Sequence, residues 1–282
     1  MDPLDSSSFD RDVQFQRLLR HDANVDLTEA ALEVARDFHN DIDFEGVDAW
    51  LDQQAQTLRP QILRTADADE GLQAFCVFMT ETLGFRGSAM ATCTAEGSFL
   101  DSVIANRFGL PISLSILYIA LAEKVGISLQ GVSSPQHFLC RCDDSPAGPI
   151  FVDPFHAGRT MTQIECVSWL KELTGLSVAR IKPTLRVASA RTIIERMLNN
   201  LRNLFLCRKD WRGLRTVQHR LVLLNPCSYA ARRDLAYATM KSGRPGAAID
   251  MLEECLTNAP EGERSTVNLM IDEAHRMVAR WN

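Results

Sequence analysis

The first third of the chain places apolar residues with the spacing of amphipathic helices. In residues 28–38, 47–58 and 70–83, apolar side chains recur every three or four positions among strong helix formers. Asp26 or Thr28 can cap the first of these helices, and the second is expected to end before Pro60. The pattern predicts a helical N-terminal region over residues 1–95.

The most apolar pattern follows in residues 109–126. Pro111 fits the first turn of a helix because its missing N–H has no partner there, and Gly126 fits the helix end. A helix that is apolar on nearly all sides is buried within its domain. No apolar run reaches the ~18 residues that a membrane-spanning helix needs, so we expect none.

Short segments with strand character replace the helical pattern after Gly126. Residues 129–133, 136–142 and 149–153 contain β-branched or aromatic side chains, and loops rich in Asp, Ser, Pro and Gly separate them. A buried helix followed by an antiparallel sheet is an α+β order. We therefore predict an α+β core over residues 96–185.

The pattern becomes helical again at Arg191 and repeats with a period of 34 residues. Asn225–Pro226 and Ala259–Pro260 end successive helix pairs at this offset, and Gly243 lies in the turn between two helices. This is the period of tetratricopeptide helix pairs. The sequence predicts a tetratricopeptide-like helical tail over residues 186–282, closed by a helix at residues 266–281.

Charge and cysteine content narrow the possible partners. The chain has 282 residues and a formal net charge of −6, which argues against nucleic acid and anionic membranes as partners. The acidic first residues lack the features of a signal peptide, so we expect a cytoplasmic protein with reduced cysteines. Cys140 and Cys142 would share a strand face, but no second ligand pair accompanies them. We expect no metal site and no cofactor.

The candidate chemistry lies between the buried helix and the strands that follow it. His137 and Asp153 fall on two neighbouring predicted strands, and the helix begins at Pro111. A nucleophile at a buried helix N-terminus, activated by a histidine that an aspartate orients, is the layout of papain-like and transglutaminase-like catalysis. His137 and Asp153 are therefore candidate catalytic residues.

Six motifs within residues 45–260 match a known family. They are Gly97-Ser-Phe-Leu-Asp-Ser-Val-Ile, Asn106-Arg-Phe-Gly-Leu-Pro-Ile-Ser-Leu-Ser-Ile-Leu-Tyr118, Gly126-Ile, Gly131-Val, His137-Phe-Leu and Val152-Asp-Pro-Phe. On these motifs the chain resembles the SirB-type transglutaminase-like proteins of bacteria. The resemblance implies a transglutaminase-like, papain-like core of one helix and an antiparallel sheet, followed by tetratricopeptide-like helices.

The nucleophile of active transglutaminases is missing from the matching segment. Active members resemble this segment in having a cysteine about 15 residues before the glycine that ends the helix, and that position holds Pro111 here. The resemblance implies that a Gly-x-Pro-Ile pattern replaces the cysteine throughout the family. We therefore favour a non-catalytic module for protein interaction or regulation. The alternative is a residual hydrolase or acyl transferase that uses Ser113 or a displaced cysteine with His137 and Asp153.

Each candidate residue also has a structural interpretation. His137 can be a half-buried strand histidine with satisfied hydrogen bonds, and Asp153 before a proline can open a turn. Ser113 and Ser115 point to different sides of the helix and are expected to bond its backbone.

Three further residues lie near this segment. The Cys93 thiol, in a loop-like stretch, could approach the site from outside, and His156 is interpreted as a loop residue. Arg107 precedes the buried helix and could hold an acidic group, but we favour a surface charge pair for it.

Residues 191–233 of the predicted tail form a locally basic stretch within an acidic chain. An acidic protein or peptide partner would complement these charges. The alternative is a solvated face on helices that only cover the core. The candidate partner-binding residues are Arg202, Arg208, Arg212 and Arg215.

Overall fold

The computed structural model describes residues 9–280, and the chain divides into two compact units. One unit comprises residues 23–197, and the other combines the segment before residue 23 with the segment after residue 197. This division differs from the predicted regions 1–95, 96–185 and 186–282, which remain a prediction about domains.

Helices dominate the chain before its main sheet. Two short strands, β1 (Arg86–Gly87) and β2 (Phe108–Gly109), pair in parallel between them. Aspartate side chains cap the second, third and fourth helices by accepting a backbone N–H three residues further on. In chain order the helices are α1 (Val13–Leu19), α2 (Leu27–Arg36), α3 (Phe44–Ile62), α4 (Ala68–Val77), α5 (Leu100–Asn106) and α6 (Pro111–Val125).

Two predicted helix ends are wrong. Helix α3 continues through Pro60 to Ile62, because a proline in the last turn removes only one backbone hydrogen bond, to the carbonyl of the exposed Gln56. The third predicted helix was continuous from residue 70 to residue 83. Instead α4 ends at Val77, and a π-helical turn continues it over Phe78–Thr82.

Helix α6 confirms the prediction of a buried helix. Pro111 occupies its first turn, and Gly126 ends it in the left-handed conformation at φ 84°. Its buried residues lie on all sides of the axis: Ile112, Ser113, Leu114, Ser115, Ile116, Leu117, Tyr118, Ala120, Leu121 and Ala122.

Four antiparallel strands form the main sheet in sequence order. They are β3 (Leu129–Val132), β4 (Leu139–Cys142), β5 (Ile150–Asp153) and β6 (Arg159–Thr162). The second predicted strand, at residues 136–142, begins only at Leu139. Gln136 has a positive φ of 59°, and the Ser134 hydroxyl donates to the His137 carbonyl, so a turn precedes the strand. His137 therefore lies in a loop before β4.

Helices after the sheet complete both units. They are α7 (Gln163–Thr174), α8 (Val178–Ile181), α9 (Ala190–Arg208), α10 (Trp211–Leu224), α11 (Tyr229–Lys241), α12 (Pro245–Thr257) and α13 (Arg264–Ala279). Each of α10, α11 and α12 packs on the helix that follows it along the chain. Helices α10 and α12 begin 34 residues apart, at the predicted period, and the assignment to tetratricopeptide repeats stays a prediction.

The structure confirms the α+β class. All eight cysteines are free thiols, five of them buried and three exposed. Within residues 9–280, every helix is too short or too polar to cross a lipid bilayer.

A buried arginine anchors the N-terminal helix in the smaller unit. Arg220 of α10 is fully buried and forms an ion pair with Asp12 at the start of α1. Its guanidinium lies over the rings of Phe9 and Phe15, 4.1 and 4.6 Å from their centroids. This cluster ties α1 to the C-terminal helices.

Candidate functional site

Asp153, at the end of β5, is the centre of the candidate site. Its side chain is only 1% exposed. Oδ1 lies 2.9 Å from His137 Nε2 and accepts the backbone N–H groups of Phe155 and His156 at 3.1 and 3.2 Å. Oδ2 lies 2.7 Å from His156 Nδ1. Two backbone amides and two imidazoles therefore fix the carboxylate.

These partners keep Asp153 ionised. Burial alone would raise its pKa, but the hydrogen bond and charge of His137, followed by those of His156, outweigh burial. The pKa of Asp153 is consequently lower than that of an ordinary aspartate. The site holds a buried negative charge at neutral pH.

Aromatic side chains surround His137, which is 6% exposed. Its ring packs edge-on against Trp169 of α7 and Phe155, with centroids 5.1 and 6.0 Å apart, and stacks on His156 at 5.6 Å. Its Nε2 contacts Asp153. Nδ1 has no hydrogen-bond partner within residues 9–280, so it is the ring nitrogen left for chemistry.

His156 joins the site, and sequence reasoning missed this. It lies in the turn after β5, as expected of a loop residue, and its side chain is 53% exposed. Its three-residue distance from Asp153 was the available signal, since a side chain that opens a turn often bonds to residues two or three positions further on.

The hydroxyl groups of Ser113 and Ser115 in α6 form hydrogen bonds with backbone groups. Ser113 Oγ donates to the Gly97 carbonyl at 2.6 Å and accepts the Leu110 N–H at 3.0 Å. Ser115 Oγ donates to the Pro111 carbonyl at 2.7 Å. Both residues are at most 1% exposed. Ser113 therefore has a structural role, because its hydroxyl links two backbone segments. Neither hydroxyl forms a hydrogen bond with His137.

Burial keeps the thiols of Cys76, Cys140 and Cys166 protonated. Cys140 is fully buried beside α6, its Sγ 3.7 Å from the Ser115 carbonyl, and burial raises its pKa to about 12. Burial likewise raises the pKa of Cys76 and Cys166 to about 12. Cys93 is exposed in a 3₁₀ helix over Ala89–Cys93. A thiolate nucleophile would need the opposite environment, with a lowered pKa.

The expected surface charge pair of Arg107 is not formed among the described residues. Instead, its guanidinium lies over the rings of Trp50 and Phe85, 5.2 and 5.0 Å from their centroids. Burial lowers its pKa below the ordinary arginine value. The two rings hold Arg107 by cation–π contacts.

The site around Asp153 contains the atoms that a metal ion requires. His137, Asp153 and His156 each offer one ligand atom, and these atoms lie within 4.8 Å of one another. Two imidazoles and one carboxylate are a common ligand set for Zn²⁺. Cys140 and Cys142 take no part in this cluster.

Among the tail arginines, the structure brings together two of the four candidates. Arg212 and Arg215 lie one turn apart on α10, and Arg215 Nε is buried without a hydrogen-bond partner in the described part of the chain. Burial, followed by the charges of Arg244 and Arg212, lowers the pKa of Arg215. Arg244, just before α12, lies outside the basic stretch singled out from the sequence. Arg202 contacts Asn203, and Arg208 is exposed.

Comparisons with known proteins agree with the geometry of the core. The family model described as the transglutaminase-like superfamily matches residues 45–199. A UPF0162 protein of Xylella fastidiosa (strain 9a5c) is 30% identical over 236 residues, which cover 82% of this chain and 83% of that protein. No solved structure matches the chain significantly.

Two more distant relatives match smaller parts of the chain. A UPF0162 protein of Vibrio cholerae is 28% identical over 183 residues, or 64% of this chain and 67% of its own. The human F-box only protein 21 is 30% identical over 140 residues, which cover 47% of this chain and 21% of that protein.

Proposed function

Because the chain belongs to the transglutaminase-like superfamily, within the family of bacterial UPF0162 proteins, we propose that it is a non-catalytic member that binds or regulates a protein partner. One observation carries the proposal. Pro111 occupies the first turn of α6, where an active transglutaminase would present its cysteine, and a proline ring has no nucleophilic atom.

The surroundings of Pro111 support this proposal. Ser113 and Ser115 hydroxyls bond backbone carbonyls, and Cys140 is held protonated by burial. Among residues 9–280, neither a hydroxyl nor a thiol forms a hydrogen bond with the imidazole of His137. In this arrangement the imidazole of His137 has no side-chain nucleophile within hydrogen-bond reach to activate.

One observation favours the alternative of a residual hydrolase or acyl transferase. The contact between His137 Nε2 and Asp153 Oδ1 is intact at 2.9 Å, and Nδ1 is unpaired. Such an enzyme would have to bring Ser113 or a cysteine to Nδ1, which requires breaking the present hydrogen bonds of Ser113 or exposing a buried thiol.

Acyl-transfer assays on His137→Ala discriminate between these two functions. We expect the wild-type protein to hydrolyse aryl esters and thioesters no faster than His137→Ala, and to resist labelling by fluorophosphonates at Ser113. His275→Ala, at an exposed position of α13, is the matched control.

Removing a working triad member lowers the rate by several powers of ten. A loss of that size in His137→Ala, with unchanged activity in His275→Ala and unchanged circular dichroism in both, would establish the enzyme and reject our proposal.

We further propose that the partner presents an acidic segment to the C-terminal helices. Arg212, Arg215 and Arg244 lie near one another without a carboxylate partner among the described residues. An unpaired buried donor such as Arg215 Nε costs about 1–3 kcal/mol, and an incoming carboxylate would recover part of that cost. Such charges also accelerate association with an acidic partner.

A glutamate-rich peptide is a suitable probe for this surface. We expect a fluorescein-labelled deca-glutamate peptide to bind the full chain in fluorescence anisotropy at low salt, and binding to weaken as salt is added. Replacing Arg212 and Arg215 together by alanine should weaken binding at least about tenfold, since two charge-assisted contacts are lost. Arg264→Ala, at an exposed position of α13, should bind as the wild type does. Equal affinity in all three proteins, or no binding at low salt, would refute this surface.

A further inference from the structure

Asp153 has one histidine more than a catalytic triad uses. In a triad, a single histidine meets the aspartate and turns its other nitrogen to the nucleophile. Here His156 also contacts Asp153, at 2.7 Å, and its ring stacks on the ring of His137. A pair formed by His137 and Asp153 alone gives no role to this second imidazole.

We propose that His137, Asp153 and His156 form a binding site for a divalent transition-metal ion, with Zn²⁺ as the best-fitting ion. Their three ligand atoms lie within 4.8 Å of one another. Zinc sites with three protein ligands keep a fourth position for water or another ligand. The half-exposed His156 leaves this side of the cluster accessible to solvent.

The site can accept the ion after a small displacement. Ligand atoms about 2.1 Å from a tetrahedral zinc ion lie roughly 3.4 Å apart. The present distances are 2.9 Å from His137 Nε2 to Asp153 Oδ1 and 2.7 Å from His156 Nδ1 to Asp153 Oδ2, so each imidazole must move away from the oxygen it contacts by roughly 0.5–0.7 Å. The ion then takes the place of the protons between each imidazole and the carboxylate. The exposed ring of His156 has the most room to move.

The surrounding groups resemble the support that metal ligands receive in proteins. Backbone N–H groups of Phe155 and His156 hold Asp153 Oδ1, and Trp169 fixes the ring of His137. Such outer contacts orient ligands and strengthen metal binding.

Metal binding and triad chemistry exclude each other at His137. Both use Nε2, because this nitrogen contacts Asp153 now and would face the ion after binding. A metal-loaded protein therefore loses the aspartate-oriented base. The inference goes beyond the non-catalytic function proposed above, and it is tested by metal binding rather than by acyl transfer.

Direct metal titration of the full chain tests the site. The exposed thiols of Cys93, Cys207 and Cys227 are first blocked with iodoacetamide, so that they cannot hold the ion. Zn²⁺ is then titrated by calorimetry, and Co²⁺ by visible absorption, which reports the coordination geometry.

The expected result is saturable binding of one Zn²⁺ per chain. His156→Ala should weaken binding at least about tenfold, because a direct ligand matters at least as much as an outer contact. His156→Asn retains an amide toward Asp153 and should weaken binding similarly, which separates ligand loss from a local rearrangement. His275→Ala is the matched control and should bind normally.

Three results would overturn the site. They are the absence of saturable binding, wild-type affinity in both His156 variants, and a thiolate-to-cobalt charge-transfer band that assigns the ion to cysteines. Thermal melts of all variants without metal verify that each one is folded.

Discussion

Replacing Asp153 by alanine is expected to lower the free energy of unfolding of the unit formed by residues 23–197 by about 3–5 kcal/mol. The substitution leaves the backbone N–H groups of Phe155 and His156 and the buried ring of His137 without their shared acceptor. Each buried donor left unpaired costs about 1–3 kcal/mol. Urea denaturation followed by circular dichroism measures the loss.

Asp153→Asn is the matched control, because it removes the charge and keeps one oxygen acceptor, while an NH2 donor replaces the other oxygen. We expect Asp153→Asn to lower the free energy of unfolding by less than half as much as the alanine substitution does. If both variants unfold at the wild-type urea concentration, Asp153 does not organise this turn, and the account of the site given above is wrong.

The loss of unfolding free energy caused by Asp153→Asn should also depend on pH. Burial acts to raise the pKa of Asp153, but the contacts with His137 and His156 hold it below the ordinary value. A carboxylate with a lowered pKa stabilises the folded state at pH values above its unfolded pKa of about 3.9. That stabilisation is lost as pH falls through the lowered folded pKa. The difference between wild type and Asp153→Asn should therefore be largest near neutral pH and shrink below about pH 4.

Replacing Arg220 by alanine should destabilise the smaller unit by about 3–5 kcal/mol. The variant leaves the carboxylate of Asp12 buried without this ion pair and opens a cavity between Phe9 and Phe15. Removing one member of a buried ion pair is far more costly than removing both, because the remaining charge stays out of water. Chemical denaturation, with limited proteolysis of α1 as a local readout, measures the effect.

The double variant Asp12→Leu with Arg220→Met supplies the control for charge. It removes both charges and fills the space with apolar atoms, so it should recover a large part of the loss. Arg264→Ala, at an exposed position, should change stability by less than about 0.5 kcal/mol. A full loss in the double variant would indicate that packing of the guanidinium on the phenylalanine rings, rather than the ion pair, holds α1.

Local patterns in the sequence were sufficient for the elements with strong periodicity. The near-continuous apolar run of α6 and the glycine at its end predicted a buried helix, and the structure has one. Strand β6 was not predicted, because its sequence Arg-Thr-Met-Thr is mostly polar and only Met161 is buried. A single inward side chain gives no period to recognise.

The sequence alone determined the α+β class and the buried helix, since these depend on local composition and on spacing along the chain. It also proposed the pairing of His137 with Asp153. Only the tertiary structure decided that His156 shares this carboxylate and that Arg244 joins Arg215. Such contacts depend on how turns and helices pack in three dimensions, and a one-dimensional pattern of apolar and polar residues does not encode those distances.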